Sequence, residues 1–286
     1  MRVGAHVSAA GRLAGAVKRA VEIEAEAIQV FESAPQTWRP GSHAEDEFEE
    51  FNAAADEASV RPVFIHAIYL INLASADETL LHRSVGSLKL ALRAAWRMHA
   101  GGVIFHVGSH KGVGFDAVRE QIVRAMADAL AASPDDARLI IENAAGQGGA
   151  IGSRLAEVGA LVRDLASSRV GVCLDTCHAF AAGYNIAERD GLDAMAEEFD
   201  REIGRDKLWA VHANDSKGEL GNGKDRHENI GEGFIGMEGF LTVMSHPLFR
   251  DVPFLLEVPG FSGEGPDLEN VRRLKELRER APAVVG

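Results

Sequence analysis

Eight strand-length apolar segments alternate with segments of helical periodicity along most of the chain. Near-continuous apolar strands separated by helices are typical of a parallel sheet that is buried on both faces. Eight repeats favour a closed (β/α)8 TIM barrel over an open doubly wound sheet. The apolar segments are 3–7, 27–31, 63–67, 102–107, 138–143, 170–176, 208–213 and 252–258. The clearest helical segments are 13–24, 79–99, 117–132, 154–165 and 268–280.

The length and composition predict one α/β domain over residues 1–286. A chain of 286 residues with 46% hydrophobic residues can bury one large core, and no linker-like or charge-rich stretch divides it. Residues 11–15 lack the glycine spacing of a dinucleotide-binding turn. The N-terminus leads directly into a strand-like segment, and no apolar run has the length of a membrane span. We therefore expect neither a signal peptide nor a membrane partner.

The net charge limits the kinds of ligand that the protein can bind, and the cysteines indicate its cellular location. A formal net charge of −13 argues against broad, sequence-independent adhesion to nucleic acid, so a polyanionic substrate would need a narrow positive strip. The two cysteines, Cys173 and Cys177, cannot form a disulfide framework, which predicts a reducing, cytoplasmic location. We expect Cys173 to pack inside the barrel on the same side of its strand as Asp175, and Cys177 to be a small buried thiol.

Residues that commonly bind metal ions stand at the ends of the apolar segments or in the loops after them. In a TIM barrel, the carboxyl ends of all the strands meet around one mouth, where active sites form. Imidazole nitrogen and carboxylate oxygen are ligands that zinc prefers. The pattern therefore predicts a multinuclear metal site at the barrel mouth. Its nine candidate ligands are His66, His106, Glu142, Asp175, His178, His212, Asp225, His227 and Glu257.

The spacing of these candidates leaves some alternatives open. Asp225 and His227 are two residues apart in a long connection, 216–236, so an extended backbone would point both towards one ion. Asp175 and His178 flank the turn at a strand end and could serve the same ion or adjacent ions. Taken alone, His66 could be an ordinary strand-end histidine. His6 and His110 lie near the predicted mouth without an assignable role.

The ordered motifs resemble those of the endonuclease IV-type apurinic/apyrimidinic (AP) endonucleases of DNA base-excision repair. The resemblance extends along essentially the whole chain. Sugar isomerases of the same fold share some ligands but not the combination of D-T-C-H and D-R-H. The matching motifs are G-A-H-V-S-A-A at 4–10, H at 66 with Y-L-I-N at 69–72, H at 106 with G-S-H at 108–110, E-N at 142–143 with A-G-Q-G at 145–148, L-D-T-C-H at 174–178, H-A-N-D-S-K at 212–217, D-R-H at 225–227 with G-E-G at 231–233, and E at 257.

This resemblance implies a trinuclear site that contains zinc, with manganese at one or more positions in some members. It implies that His66 and His106 hold the first ion and that Glu142 bridges the first ion to the second and acts in catalysis. The second ion would be completed by Asp175, His212 and Glu257. The third ion would be held by His178, Asp225 and His227.

The implied enzyme is a zinc-dependent deoxyribonuclease IV of the phage T4-induced type. It would act as a monomer on double-stranded DNA, cutting 5′ to an abasic site to leave a 3′-hydroxyl and a 5′-deoxyribose phosphate. A 3′-phosphodiesterase activity on blocked 3′ ends is also expected. Tyr69 and Leu70 match wedging residues, and Arg226 and Lys217 are candidate phosphate contacts. Gln36 stands where some relatives insert an arginine, which predicts a weaker wedge.

The alternative enzyme is a TIM-barrel sugar isomerase or epimerase. It would need only one or two divalent metals and would leave Asp225 and His227 without a role. A non-catalytic nucleic-acid-binding module fits poorly with the acidic balance of the chain.

Overall fold

The eight apolar segments form the strands of a closed parallel barrel, as the sequence predicts. The computed structural model describes residues 1–281; the last five residues of the predicted domain, 282–286, lie outside the described residues. The barrel strands are β1 (Val3–His6), β2 (Ala27–Val30), β3 (Val63–His66), β4 (Val103–Phe105), β5 (Leu139–Glu142), β6 (Val170–Asp175), β7 (Leu208–His212) and β10 (Phe254–Leu256). Around the barrel they follow the order β1, β10, β7, β6, β5, β4, β3, β2.

Each strand is shorter than its apolar segment by one or two residues at one or both ends. The segment 252–258, for example, contains the three-residue strand β10. The apolar residues outside the ladder, such as Val252 and Val258, are still buried, but their backbone belongs to the adjoining loops. Apolar composition therefore located each strand but overestimated its length.

Helices cover the outside of the barrel. They are α1 (Ala14–Glu22), α2 (Glu45–Glu57), α3 (Glu78–Arg97), α4 (Phe115–Ala131), α5 (Leu155–Leu165), α6 (Thr176–Ala181), α7 (Arg189–Glu202), α8 (Gly236–Ser245) and α9 (Leu268–Arg280). The five helical segments read from the sequence correspond to α1, α3, α4, α5 and α9. Within the described residues, no helix combines the length and apolar character needed to cross a membrane.

The barrel interior contains a layer of apolar side chains directly below the predicted ligands. Ala27, Phe64, Ile104, Ile140, Cys173, Ala210 and Leu255 form one buried cluster. Because side chains two apart on a strand point to the same face, the next inward positions fall at the mouth. Those positions are Gln29, His66, His106, Glu142, Asp175, His212 and Glu257. The predicted interior position of Cys173 is thus confirmed.

Asp215 and the connection from 216 to 236 form a short antiparallel hairpin that the sequence pattern does not predict. Strand β8 (Asp215–Ser216) pairs with β9 (His227–Glu228), and Ser216 lies opposite His227. The hairpin begins just after β7, so it projects over the carboxyl end of the barrel and carries Asp225 and His227 towards the mouth.

Candidate metal centre

The barrel brings all nine predicted ligands together in three adjoining clusters. Within each cluster, every residue offers one donor atom that lies within 4.8 Å of the other donors. The first cluster is His66, His106 and Glu142; the second is Glu142, Asp175, His212 and Glu257; the third is His178, Asp225 and His227. This grouping coincides with the partition that the family resemblance implies.

Glu142 ends β5 and connects the first two clusters. Its Oε2 lies 3.1 Å from Nε2 of His66 and 3.4 Å from Nε2 of His106. Its Oε1 lies 3.0 Å from Nδ1 of His212. With ligand bonds of about 2.0–2.1 Å, donors around a tetrahedral zinc ion are separated by roughly 3.3 Å. The two carboxylate oxygens are therefore placed to serve two different ions.

The third cluster lies closer to solvent. Asp225 Oδ1 is 3.1 Å from His227 Nε2, and Asp225 Oδ2 is 3.2 Å from His178 Nε2. Both Nε2 atoms are buried and neither makes a hydrogen bond of normal geometry. Buried polar atoms rarely lack partners, so two unpaired imidazole nitrogens beside one carboxylate fit a cation-binding position.

In three of the candidate histidines, the ring nitrogen Nδ1 contacts a backbone carbonyl oxygen. Nδ1 of His66 lies 2.7 Å from the carbonyl oxygen of Ala67, and Nδ1 of His178 lies 3.0 Å from that of Asn143. Nδ1 of His227 lies 3.1 Å from the carbonyl oxygen of Glu257. A carbonyl oxygen only accepts, so each Nδ1 donates and Nε2 is the nitrogen left for a metal.

Gln29 is a site residue that the sequence interpretation missed. Its amide nitrogen donates to Glu257 Oε1 at 2.6 Å, and its oxygen lies 2.8 Å from Nε2 of His212. The side chain is fully buried and orients one residue from each of two strands. It also reaches Nδ1 of His6 at 2.9 Å, which places His6 at the edge of the site. Strand periodicity predicts this position, because Gln29 lies two residues after Ala27, which faces the barrel interior.

Asn214, which belongs to the H-A-N-D-S-K motif at 212–217, supports two carboxylates. Its amide nitrogen donates to Asp175 Oδ2 at 2.6 Å. Its side-chain oxygen accepts the backbone N–H of Glu257 at 2.8 Å. Asp175 is further fixed because its Oδ1 accepts the N–H of His178 at 2.8 Å, which caps α6. Hydrogen bonds of this kind, from residues behind the candidate ligands, restrict how the ligands can rotate.

Asp215 organises the connection that carries two members of the third cluster. Its buried carboxylate accepts backbone N–H groups from Ser216 at 2.8 Å, Gly231 at 2.9 Å, Gly233 at 3.1 Å and Ile235 at 2.9 Å. Burial raises the pKa of Asp215, and these hydrogen bonds oppose that effect. The carboxylate therefore ties the far side of the loop to β8.

Neighbouring histidines lower the pKa values of three cluster carboxylates, Glu142, Glu257 and Asp225. Burial raises the pKa of Glu142, but the positive charge of His106 and His212 outweighs burial and keeps that pKa well below its usual range. The pKa of Glu257 is lowered against burial mainly by His212, and that of Asp225 mainly by contact with His178. Concentrated negative charge in a buried site requires compensating positive charge.

The pKa values of the imidazoles in the third cluster are raised. Burial lowers the pKa of His227, but the charge of Asp175 outweighs it and raises the pKa to about 9. The pKa of His178 also lies well above its usual value, despite burial, because of Asp175 and Asp225. Protons thus supply the positive charge that metal ions can replace.

Cys177 is the buried thiol that the sequence predicts. Its Sγ lies 3.6 Å from the carbonyl oxygen of Arg226, and burial raises its pKa to about 12. Sγ could form a group with Asp175 and His227 by distance alone. Because burial disfavours the thiolate form that zinc binds, we do not include Cys177 among the predicted ligands.

The five candidate DNA contacts lie around the mouth but form no single cluster. Tyr69 is 55% exposed and lies edge-on to Phe31, with 5.2 Å between ring centroids. Leu70 is partly buried against the core. Gln36 is exposed on the loop between β2 and α2, and Arg226 and Lys217 are exposed on the hairpin. A cavity of about 620 Å³ lies between these loops and reaches His227 and Glu257.

Comparison with known proteins gives full-length similarity to one family. A family model described as a xylose isomerase-like TIM barrel matches residues 17–279. A probable endonuclease 4 of Halothermothrix orenii is 39% identical over 276 residues, covering 96% of this chain and 99% of that protein. One from Streptomyces avermitilis is 39% identical over 97% of this chain and 90% of its own length.

Solved structures separate the family from its fold relatives. Endonuclease IV from Thermus thermophilus superposes with a TM-score of 0.86 and 36% identity, covering 98% of this chain and 100% of that one. A D-tagatose 3-epimerase-like protein superposes with a TM-score of 0.75 but only 19% identity, which indicates a shared fold alone. On this full-length similarity, the chain belongs to the endonuclease IV-type family of AP endonucleases.

Proposed function

We propose that the protein is a DNA-repair hydrolase that cuts the phosphodiester bond 5′ to an abasic site in double-stranded DNA. The products are a 3′-hydroxyl and a 5′-deoxyribose phosphate, the reaction of a phage T4-induced-type deoxyribonuclease IV. The observation that carries the proposal is the convergence of nine imidazole and carboxylate donors into three adjoining clusters around one barrel mouth. We further propose that one domain, residues 1–286, performs the reaction as a cytoplasmic monomer.

Three zinc ions suit the donor set, and manganese could replace zinc at one or more positions. His66, His106 and Glu142 would hold the first ion, and Glu142 with Asp175, His212 and Glu257 the second. His178, Asp225 and His227 would hold the third. Divalent ions bound here would supply Lewis acidity, which activates water for attack and neutralises charge on the departing 3′-oxygen.

The protein's own residues contribute orientation. Glu142 is buried and ionised, and both of its oxygens point into the site, so it can accept a hydrogen bond from the attacking water and set its direction. Gln29 and Asn214 hold Glu257 and Asp175 against rotation. Residues that are already held in their reactive positions need not rearrange during the reaction, so removing one of them should lower the reaction rate.

Recognition would use the loops at the mouth. Tyr69 and Leu70 would fill the gap left by the displaced abasic nucleotide, whose missing base makes displacement inexpensive. Gln36 would add a hydrogen-bonding but uncharged wedge. Arg226 and Lys217 would contact phosphates as part of a narrow positive strip on an acidic protein. The same ions would act on blocked 3′ ends as a 3′-phosphodiesterase.

The test is cleavage of a duplex with one abasic site by zinc-loaded protein, with and without a strong chelator. We expect cutting on the 5′ side of the lesion, loss of activity with chelator and recovery on adding zinc, while an undamaged duplex stays intact. Intact abasic DNA after incubation with protein of measured, full metal content would contradict the proposal. One or two ions per chain with ketose–aldose turnover would favour the sugar isomerase instead.

A further inference from the structure

The outer face of α3 carries apolar side chains where a solvent-facing helix normally carries polar ones. Leu90 is 43% exposed and Trp96 is 50% exposed. Both line one cavity of about 480 Å³, together with Pro40 and Phe48. This cavity lies on the side of the barrel and includes none of the nine candidate ligands. Exposed apolar residues that share a cavity are a feature of binding surfaces.

Arginines surround this apolar area. Arg93 and Arg97 line the same cavity as Leu90, whereas Arg39 and Arg83 line a neighbouring cavity of about 210 Å³ that also reaches Leu90. One partly buried carboxylate, Glu32, lines both cavities, so the arginines remain in excess. Arg97 pairs with Glu45 at 2.6 Å and lies 5.1 Å from the ring centroid of Phe48. We call this surface the α3 groove; it comprises Arg39, Arg83, Leu90, Arg93, Trp96 and Arg97.

Three of these arginines lack an intramolecular partner within residues 1–281. In that part of the chain, the side chains of Arg39, Arg83 and Arg93 form neither an ion pair, nor a hydrogen bond, nor a ring contact. Cations on other outer surfaces are commonly paired, as in Arg119 with Asp164 and Arg205 with Asp200. In a chain of net charge −13, three such guanidinium groups beside exposed apolar side chains are available for an external anion.

The α3 groove combines arginines with apolar side chains, and this combination fits an acidic peptide better than a nucleic acid. A nucleic-acid backbone would pair with the arginines but would leave Leu90 and Trp96 uncovered, because phosphate contacts are polar. A peptide with acidic and apolar side chains would satisfy both. Tryptophan and arginine are also the residues that most often dominate protein-binding energies. From position 83 to position 97 the helix extends roughly 21 Å, which matches about fourteen residues of a helical ligand.

We propose that the α3 groove is a docking site for an acidic, amphipathic peptide segment of a partner protein. The acidic side chains of the segment would pair with Arg39, Arg83 and Arg93, and its apolar side chains would pack against Leu90 and Trp96. This inference is independent of the metal chemistry, since the groove shares no residue with the three clusters.

The experiment uses full-length, zinc-loaded protein and a fluorescent peptide of about fourteen residues with acidic and leucine or phenylalanine positions at helical spacing. We expect saturable binding by anisotropy and a change in protein fluorescence that is reduced in Trp96→Ala, with the remainder from Trp38, which lines the neighbouring cavity. We also expect at least tenfold weaker binding for Arg93→Glu. Arg201→Glu, which makes the same charge change on the exposed face of α7, should bind normally. All three variants should keep their zinc content.

Several results would overturn the proposal. The first is failure of the acidic peptide to bind, or equal binding of a peptide in which lysine replaces every acidic residue. The second is a loss of affinity for undamaged duplex DNA in Arg93→Glu that equals its loss for the peptide, which would make the groove a DNA contact. The third is a concentration-dependent dimer that Trp96→Ala abolishes, which would make the groove a self-association surface.

Discussion

The second and third clusters use the same chemical groups but are built in different ways. In the second cluster, Glu142, Asp175 and His212 end neighbouring strands and are almost completely buried. Asp175 lies opposite His212 in the ladder between β6 and β7. In the third cluster, Asp225 precedes a two-residue strand and its side chain is 53% exposed. The barrel itself positions one cluster, whereas the other depends on a loop.

This difference shows what a loop needs in order to hold a ligand. Strand ends inherit their positions from the sheet register, and the same hydrogen bonds that close the barrel align the side chains. The hairpin has only a short ladder of its own. Asp215 compensates by accepting five backbone N–H groups from the connection, at distances of 2.8–3.2 Å. We therefore expect the third cluster to be the more easily disrupted one.

The largest effect is expected for Glu142→Gln, which removes the carboxylate shared by the first and second clusters. Cleavage of abasic DNA should fall by about 10³-fold, equivalent to roughly 4 kcal/mol, because both clusters lose a charged ligand. The third cluster, which does not use Glu142, should still take up its ion. Glu157→Gln is the matched control, since Glu157 is a buried carboxylate paired with Arg154 outside the site. Normal cleavage by Glu142→Gln would show that the clusters do not act in catalysis.

Asp215→Asn tests the comparison most directly. An amide presents one oxygen, so part of the loop loses its acceptor, and Asp225 and His227 lose their fixed position. Zinc analysis after dialysis should show about two ions instead of about three, with the affinity of the remaining position reduced by up to roughly 100-fold. Saturating zinc should restore part of the cleavage. Loss of all three ions would mean that Asp215 supports the whole fold.

Asp77→Asn is the control for Asp215→Asn. Asp77 caps α3 by accepting the N–H groups of Thr79 and Leu80, at 2.8 and 3.2 Å. It therefore makes similar carboxylate–backbone bonds outside the site. Because asparagine caps helices about as well as aspartate, we expect the free energy of unfolding to change by no more than about 0.5 kcal/mol and the zinc content to stay the same.

The two clusters should also differ in pH dependence. With a pKa raised to about 9, His227 is protonated at neutral pH in the metal-free protein, and His178, whose pKa is raised well above its usual value, is protonated too. Zinc must displace these protons, so affinity at the third cluster rises with pH up to these pKa values and falls as pH decreases.

The metal loss on acidification is measurable. The second cluster has one such imidazole, His212, whose pKa is also raised well above its usual value, while Glu142 and Glu257 have lowered pKa values and stay ionised over this range. Zinc therefore displaces one histidine proton at the second cluster and two at the third. Calorimetric titration of zinc at about pH 6 and about pH 8, in buffers of different ionisation enthalpy, counts the released protons. We expect the third cluster to empty first on acidification. Simultaneous loss from all clusters would contradict the distinction.

The smallest effect is expected for Gln29→Ala, which leaves every proposed ligand in place. His212 and Glu257 would lose one orienting hydrogen bond each, so zinc affinity at the second cluster should fall about tenfold. Saturating zinc should restore cleavage. A loss of cleavage that zinc does not repair would assign Gln29 a direct part in the reaction.

The barrel and the candidate ligands at its strand ends could be predicted from the sequence because both follow from local periodicity. Apolar segments of strand length recur eight times, and a strand places residues two apart on one face. Phe64 inside the barrel therefore predicts His66 at the mouth, and Ile140 predicts Glu142. Strand ends were less predictable, because burial continues beyond the last ladder hydrogen bond, as at Val258.

Contacts between distant segments were decided only by the tertiary structure. Gln29 meets Glu257 across 228 positions of sequence, and Asp215 reaches Ile235 across the loop that it organises. A glutamine or aspartate in a sequence does not specify its hydrogen-bond partners, since these depend on which strands become neighbours when the barrel closes. Gly4 shows the same dependence: an added Cβ there would lie 2.1 Å from the carbonyl oxygen of Ala27, a clash that exists only because β1 and β2 pair.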